Sequence, residues 1–116
     1  MSEKFRKKYS LEQRLAESLR IKKKYPDRVP IIVERAKGST VDNIDKSKFL
    51  VPGDLTMGQF IFVIRKRIKL SSDQAIFVFV NGTLPSSSAL ISQIYEKHKS
   101  DDNFLNFLYQ NESTFG

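Results

Sequence analysis

The chain has 116 residues, with 20 Lys/Arg against 13 Asp/Glu for a net charge of +7, one His and no Cys. That length lets a single domain bury a core without staples, and the lack of Cys excludes disulfides, thiolate metal sites and a cysteine nucleophile together. No run approaches the roughly 18 consecutive apolar residues of a membrane span, and the charges from Glu3 onward do not suit a secretory signal, so the sequence predicts a protein that is soluble as made and must acquire any membrane association.

In chain order, residues 4–8 read as a short basic turn or helix. Ser10-Leu11-Glu12-Gln13 has the form of a capping box, with Ser10 as N-cap and Gln13 reaching back. The helix it opens runs to about Lys24, and Pro26 stops it. Leu11, Leu15 and Leu19, at spacing four, are expected to form its apolar face. Residues 1–24 hold nine Lys/Arg and three acids, whereas residues 70–116 hold two and five. One basic end thus meets a mildly acidic one, a field that steers acidic partners. Arg28 to Arg35 reads as a strand in which Pro30 demands an edge position or an unpaired N–H. After the turn Lys37-Gly38-Ser39-Thr40, Lys48-Phe49-Leu50-Val51 forms a second strand, closed by Pro52-Gly53.

Thr56-Met57-Gly58-Gln59 is a second capping box. The helix after it carries Phe60, Ile64 and Ile68 at spacing four, with Met57 and Ile61 beside them, and is expected to be the central core helix. It ends in Arg65, Lys66, Arg67 and Lys69, which complement a C-terminal dipole. Ile76-Phe77-Val78-Phe79-Val80 is the strongest strand, Asn81-Gly82 signals a tight hairpin turn, and a short strand follows. Ser86 to Ser88 are placed to cap a third helix carrying Leu90, Ile91, Ile94 and Tyr95. Asp101-Asp102-Asn103 reads as a loop, Phe104 to Tyr109 as the last strand, and the tail from Gln110 as polar and flexible. The order is α+β, a β-grasp (ubiquitin-like) fold with an N-terminal helical extension. The expected organisation is one domain over 1–116: an extension at 1–25, the core at 26–110 and a tail at 111–116.

Enzyme signatures are missing: there is no Gly-rich phosphate loop, GxSxG or HExxH, so no catalytic residue, metal or cofactor is expected. Asp42 and Asp45 read as solvated loop acids, and His98, between Lys97 and Lys99, as a cation at a helix end. A nucleic-acid patch around Arg65-Lys66-Arg67 would want exposed aromatics. Phe60 and Phe62 are expected in packing, so nucleic acid is not expected as a partner. Lys46-Ser47-Lys48-Phe49-Leu50-Val51-Pro52 interleaves Lys with apolar residues. Either the lysines keep an edge strand from aggregating, or the edge accepts an extended peptide and the lysines attract its acidic flanks. Phe77 and Phe79 share one strand face and Ile76, Val78 and Val80 the other; the strand is buried on both sides or shows one face as a docking patch. The sequence closes on Ser113-Thr114-Phe115-Gly116. A terminal Gly has no Cβ to hinder adenylation, thioester formation and attack by an amine, as a ubiquitin-like modifier requires, yet taken alone it reads first as an accident of where the sequence stops.

Together these segments resemble one family. The run Lys48-Phe49-Leu50-Val51-Pro52, Asp54-Leu55-Thr56, Gln59-Phe60 and Ile64-Arg65-Lys66-Arg67-Ile68 is similar to the autophagy ubiquitin-like modifiers of the GABARAP-like type. So are Ala75-Ile76-Phe77-Val78-Phe79-Val80-Asn81, Tyr95-Glu96 and the closing Thr114-Phe115-Gly116. Upstream, Phe5, Arg14, Glu17, Arg20, Ile21, Pro26, Arg28, Pro30 and Glu34 fall at matching spacings. Phe49 stands where the family commonly has Tyr, Asn103 where it commonly has Gly, and Asn106-Phe107-Leu108-Tyr109 is more apolar than its usual pattern.

The resemblance implies that Gly116 is joined to the amine of phosphatidylethanolamine. The partners it implies are an activating enzyme, a conjugating enzyme and a cysteine protease. It also implies a groove for aromatic-x-x-aliphatic peptides of cargo receptors, added beside the second strand. The aromatic pocket would be lined by Glu17, Ile21, Pro30, Ile32, Lys48, Leu50 and Phe104, and the aliphatic pocket by Phe49, Val51, Pro52, Leu55, Phe60 and Val63. Arg28, Lys46 and Lys48 would meet acidic residues near the motif, and Phe77 and Phe79 become candidates for a second docking patch. The expected location is the cytoplasm, moving to autophagosomal membranes and the vacuole or lysosome. The alternative is a soluble trafficking or cytoskeletal adaptor that uses the same groove without lipid, its basic N-terminal segment touching acidic tubulin tails.

Overall fold

The computed structural model describes residues 3–112. Its elements in order are α1 Glu3–Lys8, α2 Leu11–Lys24, β1 Arg28–Arg35, β2 Lys48–Pro52, α3 Met57–Arg67, β3 Phe77–Phe79, α4 Ile91–His98 and β4 Leu105–Gln110. The strands form one mixed sheet in the order β2-β1-β4-β3. β1 is antiparallel to β2 and parallel to β4, and β3 is antiparallel to β4. A hairpin, a crossing helix and a return strand beside the first make the expected β-grasp.

Helices cover both faces. Val29, Ile31 and Val33 of β1 join Phe49, Met57, Phe60, Ile64, Ile91 and Phe107 in the main core, against α3 and α4. On the opposite face Ile32 forms a second cluster with Ile21 of α2 and Phe104, and Phe5 and Leu50 pack against it. β1 is therefore an inner strand, and Pro30 survives there by the second of the two expected routes. The bonds Val33 N→Ser47 O (2.8 Å) and Gly53 N→Asp27 O (3.2 Å) turn the odd-numbered residues of β1 toward β2. The nitrogen of Pro30 faces the other way, and pairing with β4 begins only at Ile31. The missing N–H falls on the β4 side, one residue before that pairing begins.

Both predicted capping boxes are present, at Ser10 with Gln13 and at Thr56 with Gln59. Four expectations are corrected. On α2 the leucine stripe faces outward: Leu11 and Leu19 are 41% and 60% exposed, and Arg14, Ser18 and Ile21 turn inward. A polar pair, described below, sets that rotation against the pull of the leucines. Ser86 to Ser88 do not cap α4, whose N-cap is Leu90; Gln93 Oε1 accepts the Leu90 N–H at 2.9 Å. The serine segment serves α3 instead, where Ser87 O and Ala89 O accept the N–H groups of Gly58 and Met57. Phe62 is exposed, not packed. The short strand after Asn81-Gly82 shrinks to a single bridge, Val80↔Thr83, around a turn with φ of 50° and 76°, which is the type I′ signature.

α3 ends in a Schellman turn. Leu70 N bonds Arg65 O at 3.2 Å and Lys69 N bonds Lys66 O at 3.3 Å, with Lys69 at φ 56°. Glycine is favoured at that position, because a Cβ costs about 1 kcal/mol in the left-handed region. Lys69→Gly is expected to stabilise the fold by up to about 1 kcal/mol, while Thr56→Ala, which removes the N-cap of the same helix, destabilises it by about 1 kcal/mol. Urea unfolding midpoints of the two variants check both signs.

Candidate functional site

β2 ends the sheet, so one side of its backbone is open. Its hydrogen-bonded partners on β1 fall to Phe49 and Val51, and the N–H and C=O of Lys48 and Leu50 point out of the sheet. The Leu50 carbonyl is not bare: Arg28 Nη1 donates to it at 3.0 Å. Successive side chains of a strand take opposite faces, so Lys48 and Leu50 lie on the α2 face and Phe49 and Val51 on the α3 face.

On the α2 face the residues expected around an aromatic pocket converge. Ile21, Ile32 and Phe104 are at most 1% exposed, Leu50 packs against them, and Pro30 is buried opposite Leu50. Glu17 spans the rim: its Oε2 accepts from Lys48 Nζ at 2.5 Å and its Oε1 from Arg20 Nε at 2.7 Å. On the α3 face the rings of Phe49 and Phe60 meet edge-on at 5.5 Å. Val51 is buried beside them, Leu55 packs partly buried against the same core, and Val63 is exposed; Pro52, half-buried, falls by the same alternation on the α2 face. Lys46 Nζ stands 5.1 Å over the Phe49 ring. Pro52 apart, the two residue sets thus lie on opposite faces of one open strand.

Phe104 is held by a network built on the expected loop Asp101-Asp102-Asn103. The Asp102 carboxylate, with no exposed surface, accepts the Phe104 N–H at 2.9 Å and Arg14 Nη1 at 2.6 Å. Tyr95 Oη donates to Asn103 O at 2.8 Å, and Asn103 adopts φ 64°, a conformation that Asn tolerates better than other side chains. The available signal was Asp two residues before Phe, the spacing of an Asx turn. Arg14 explains the rotation of α2: its guanidinium is drawn inward to Asp102, and the leucines follow outward.

The other expected residues are dispersed. β3 is the opposite edge of the sheet; there Phe77 is half-buried and Phe79 buried, while Val78 joins the core. Asp45 pairs with Arg67 at 3.2 Å and the Asp42 carbonyl accepts from Tyr109 Oη at 2.7 Å, so the two acids do not act together. His98 Nδ1 lies 3.2 Å from Asn81 Nδ2. Among the described residues no group of three or more His, Asp or Glu is placed to hold a metal ion, and no helix is long and apolar enough to cross a membrane. Gly116 lies outside the described residues.

The family model for the autophagy protein Atg8, ubiquitin like, matches residues 13–116. The chain belongs to this Atg8 family. It is 58% identical to autophagy-related protein 8c of Arabidopsis thaliana, over 97% of this chain and 94% of that one. To autophagy-related protein 8b of the same plant it is 61% identical, over 91% and 87%. The crystal structure of Trypanosoma brucei ATG8 aligns over 100% of both chains with a TM-score of 0.91 at 41% identity. The chain is accordingly an autophagy ubiquitin-like protein of the Atg8 family, a family of modifiers rather than enzymes.

At the rim of the candidate site, the bonds from Arg20 and then Lys48 hold the Glu17 carboxyl down at about 2, against an ordinary value of 4.5. A carboxylate lowered by folding adds stability that is complete above its ordinary value and lost as pH falls toward the folded one. The difference in unfolding free energy between the parent and Glu17→Gln is therefore expected to be constant from neutral pH down to about 4.5 and to shrink as pH approaches 2. Urea titrations across that range check it.

Proposed function

We propose that the chain is a modifier whose Gly116 is conjugated to phosphatidylethanolamine on autophagosomal membranes, and whose β2 edge then gathers cargo receptors carrying aromatic-x-x-aliphatic motifs. Its division of labour would be a helical extension at 1–25, a β-grasp core at 26–110 and a conjugation tail at 111–116. Its own chemistry is passive. An activating enzyme, a conjugating enzyme and a cysteine protease act upon it.

One observation carries the groove. In an extended peptide, side chains three residues apart point to opposite faces and lie about 10 Å apart. A motif with its anchors at i and i+3, paired along the open side of β2, sends one anchor to the α2 face and the other to the α3 face. Leu50 with Ile21, Ile32 and Phe104 on the first face, and Phe49 and Val51 with Phe60 on the second, support that reading. The pocket at the Lys48 end takes the aromatic and the one at the Pro52 end the aliphatic, so the peptide runs parallel to β2. Arg28 and Lys46 stand beside this path for acidic neighbours of the motif.

Two experiments test the reading. Removing one of the two spacer residues puts both anchors on one face, and is expected to weaken binding at least about tenfold; calorimetry with the two peptides reads this, and equal affinity sinks the two-face groove. Incubation with the conjugation enzymes of the family, ATP and vesicles containing phosphatidylethanolamine is expected to add the mass of one lipid and float the protein, and Gly116→Ala to abolish both. An unmodified chain that still binds the peptide, with enzymes active on a control substrate, leaves a soluble adaptor with the same groove.

A further inference from the structure

The last strand stops where its neighbour would let it run on. β4 pairs with β3 in the register Phe77↔Gln110, Val78↔Tyr109 and Phe79↔Leu108. Continued by one step, that register sets Asn111 opposite Ile76, and by two, Glu112 opposite Ala75. Neither pair forms: β3 begins at Phe77, and the chain bends at Asn111 and Glu112. Among the described residues Ala75 and Ile76 make no backbone hydrogen bond. Side chains hold the bend. Asn111 Nδ2 donates to Thr40 Oγ1 at 2.7 Å, with Ser39 Oγ 3.4 Å from Asn111 Oδ1, and Gln110 Nε2 donates to the Glu112 carbonyl at 2.8 Å. The segment that carries Thr40 is fastened to β4 on either side of it. Ala36 N bonds Tyr109 O at 2.9 Å, and Tyr109 Oη donates to Asp42 O at 2.7 Å.

β1 and β3 flank β4 on opposite sides, so a bond to the connection after β1 draws Asn111 away from Ala75 and Ile76. We propose that Asn111, gripped by Thr40 and Ser39, is a positioning residue for conjugation: it ends the β4–β3 ladder at Gln110 and keeps the residues that lead to Gly116 free to enter the activating enzyme. This rests on the conjugation reading and deepens it. Asn is itself disfavoured in strands, where β-branched residues are favoured. Without the grip, and with a strand former in its place, the ladder gains a cross-strand pair with Ile76. Each added pair takes a residue from a short tail. Only four residues follow Glu112, and each spans at most about 3.6 Å. A paired tail has to open before an active site can take its end, and apparent affinity falls with the open fraction.

The test follows ATP-dependent charging of the family's activating enzyme by the full chain and its variants. Asn111→Val is expected to raise KM about tenfold and leave kcat unchanged, because the open tail is the same substrate. Asn111→Asp is expected to keep the parent KM, since both hydroxyls can donate to a carboxylate. The double change Ser39→Ala with Thr40→Val is expected to raise KM too, and to add nothing to Asn111→Val, as the two sides of one contact must. Hydrogen exchange of the amides at 75–76 and 111–112 is expected to slow in Asn111→Val relative to the parent. Urea midpoints close to the parent's show that the variants are folded. A parent-like KM for Asn111→Val, a raised KM with exchange at those amides unchanged, or additive effects of the two lesions overturns the clamp while conjugation stands. A parent chain that is never charged, by an enzyme active on a control substrate, overturns the conjugation reading and the role of the clamp with it.

Discussion

Ile31 and Ile32 point to opposite faces of the sheet, and neither has any exposed surface. Such two-sided burial is what β1 imposes on the rest of the molecule. A strand next to the sheet's edge that is covered on both faces needs a helix layer on each side, and α3 with α4 supply one while α2 with α1 supply the other. The exposed neighbour, β2, inherits this arrangement: its alternate side chains drop into two different hydrophobic clusters. An edge strand on a one-sided sheet would offer apolar anchorage to alternate residues of a partner only. Here, both parities of an added strand find an apolar face.

The α2 layer rests on a polar contact more than on the apolar content of α2. Asp102 is wholly desolvated and answered by Arg14 and by the Phe104 N–H. Breaking a buried ion pair by deleting one member costs on the order of 3–5 kcal/mol, a large share of the roughly 5–15 kcal/mol that holds a domain folded. Leu11 and Leu19, left in solvent, forgo their own burial to permit it. The same contact positions Phe104, so the helix that forms the rim and the ring that forms the floor are fixed by one carboxylate.

Local signals in the sequence were read well and long-range ones poorly. Capping boxes at Ser10 and Thr56, the Asn81-Gly82 turn and the bounds of β1 follow from chemistry within a few residues, and they appear as read. The orientation of α2 depends on Asp102, 88 residues from Arg14, and no periodicity in residues 11–24 encodes it. The serines at 86–88 present the composition of an N-cap, but whether they cap the following helix or the start of α3 is decided by how the chain returns. Of the candidate site, the edge character of β2 was legible in its interleaved lysines. The support of Phe104 was not, because Arg14, Tyr95 and Asp102 come from three separate segments.

Arg28 Nη1 on the carbonyl of Leu50 would give peptide binding at the proposed groove the character of an exchange. If a peptide N–H displaces the guanidinium from that oxygen, the count of hydrogen bonds at the oxygen is unchanged and the ladder there contributes alignment more than energy. The net gain depends on what the released guanidinium meets next. With a carboxylate on the peptide it trades a neutral acceptor for a charged one, which is roughly twice as strong; with a neutral neighbour it returns to water. In the proposed groove the edge would thus disfavour neutral sequences before any pocket is filled, through a residue that belongs to β1 rather than to the strand on display.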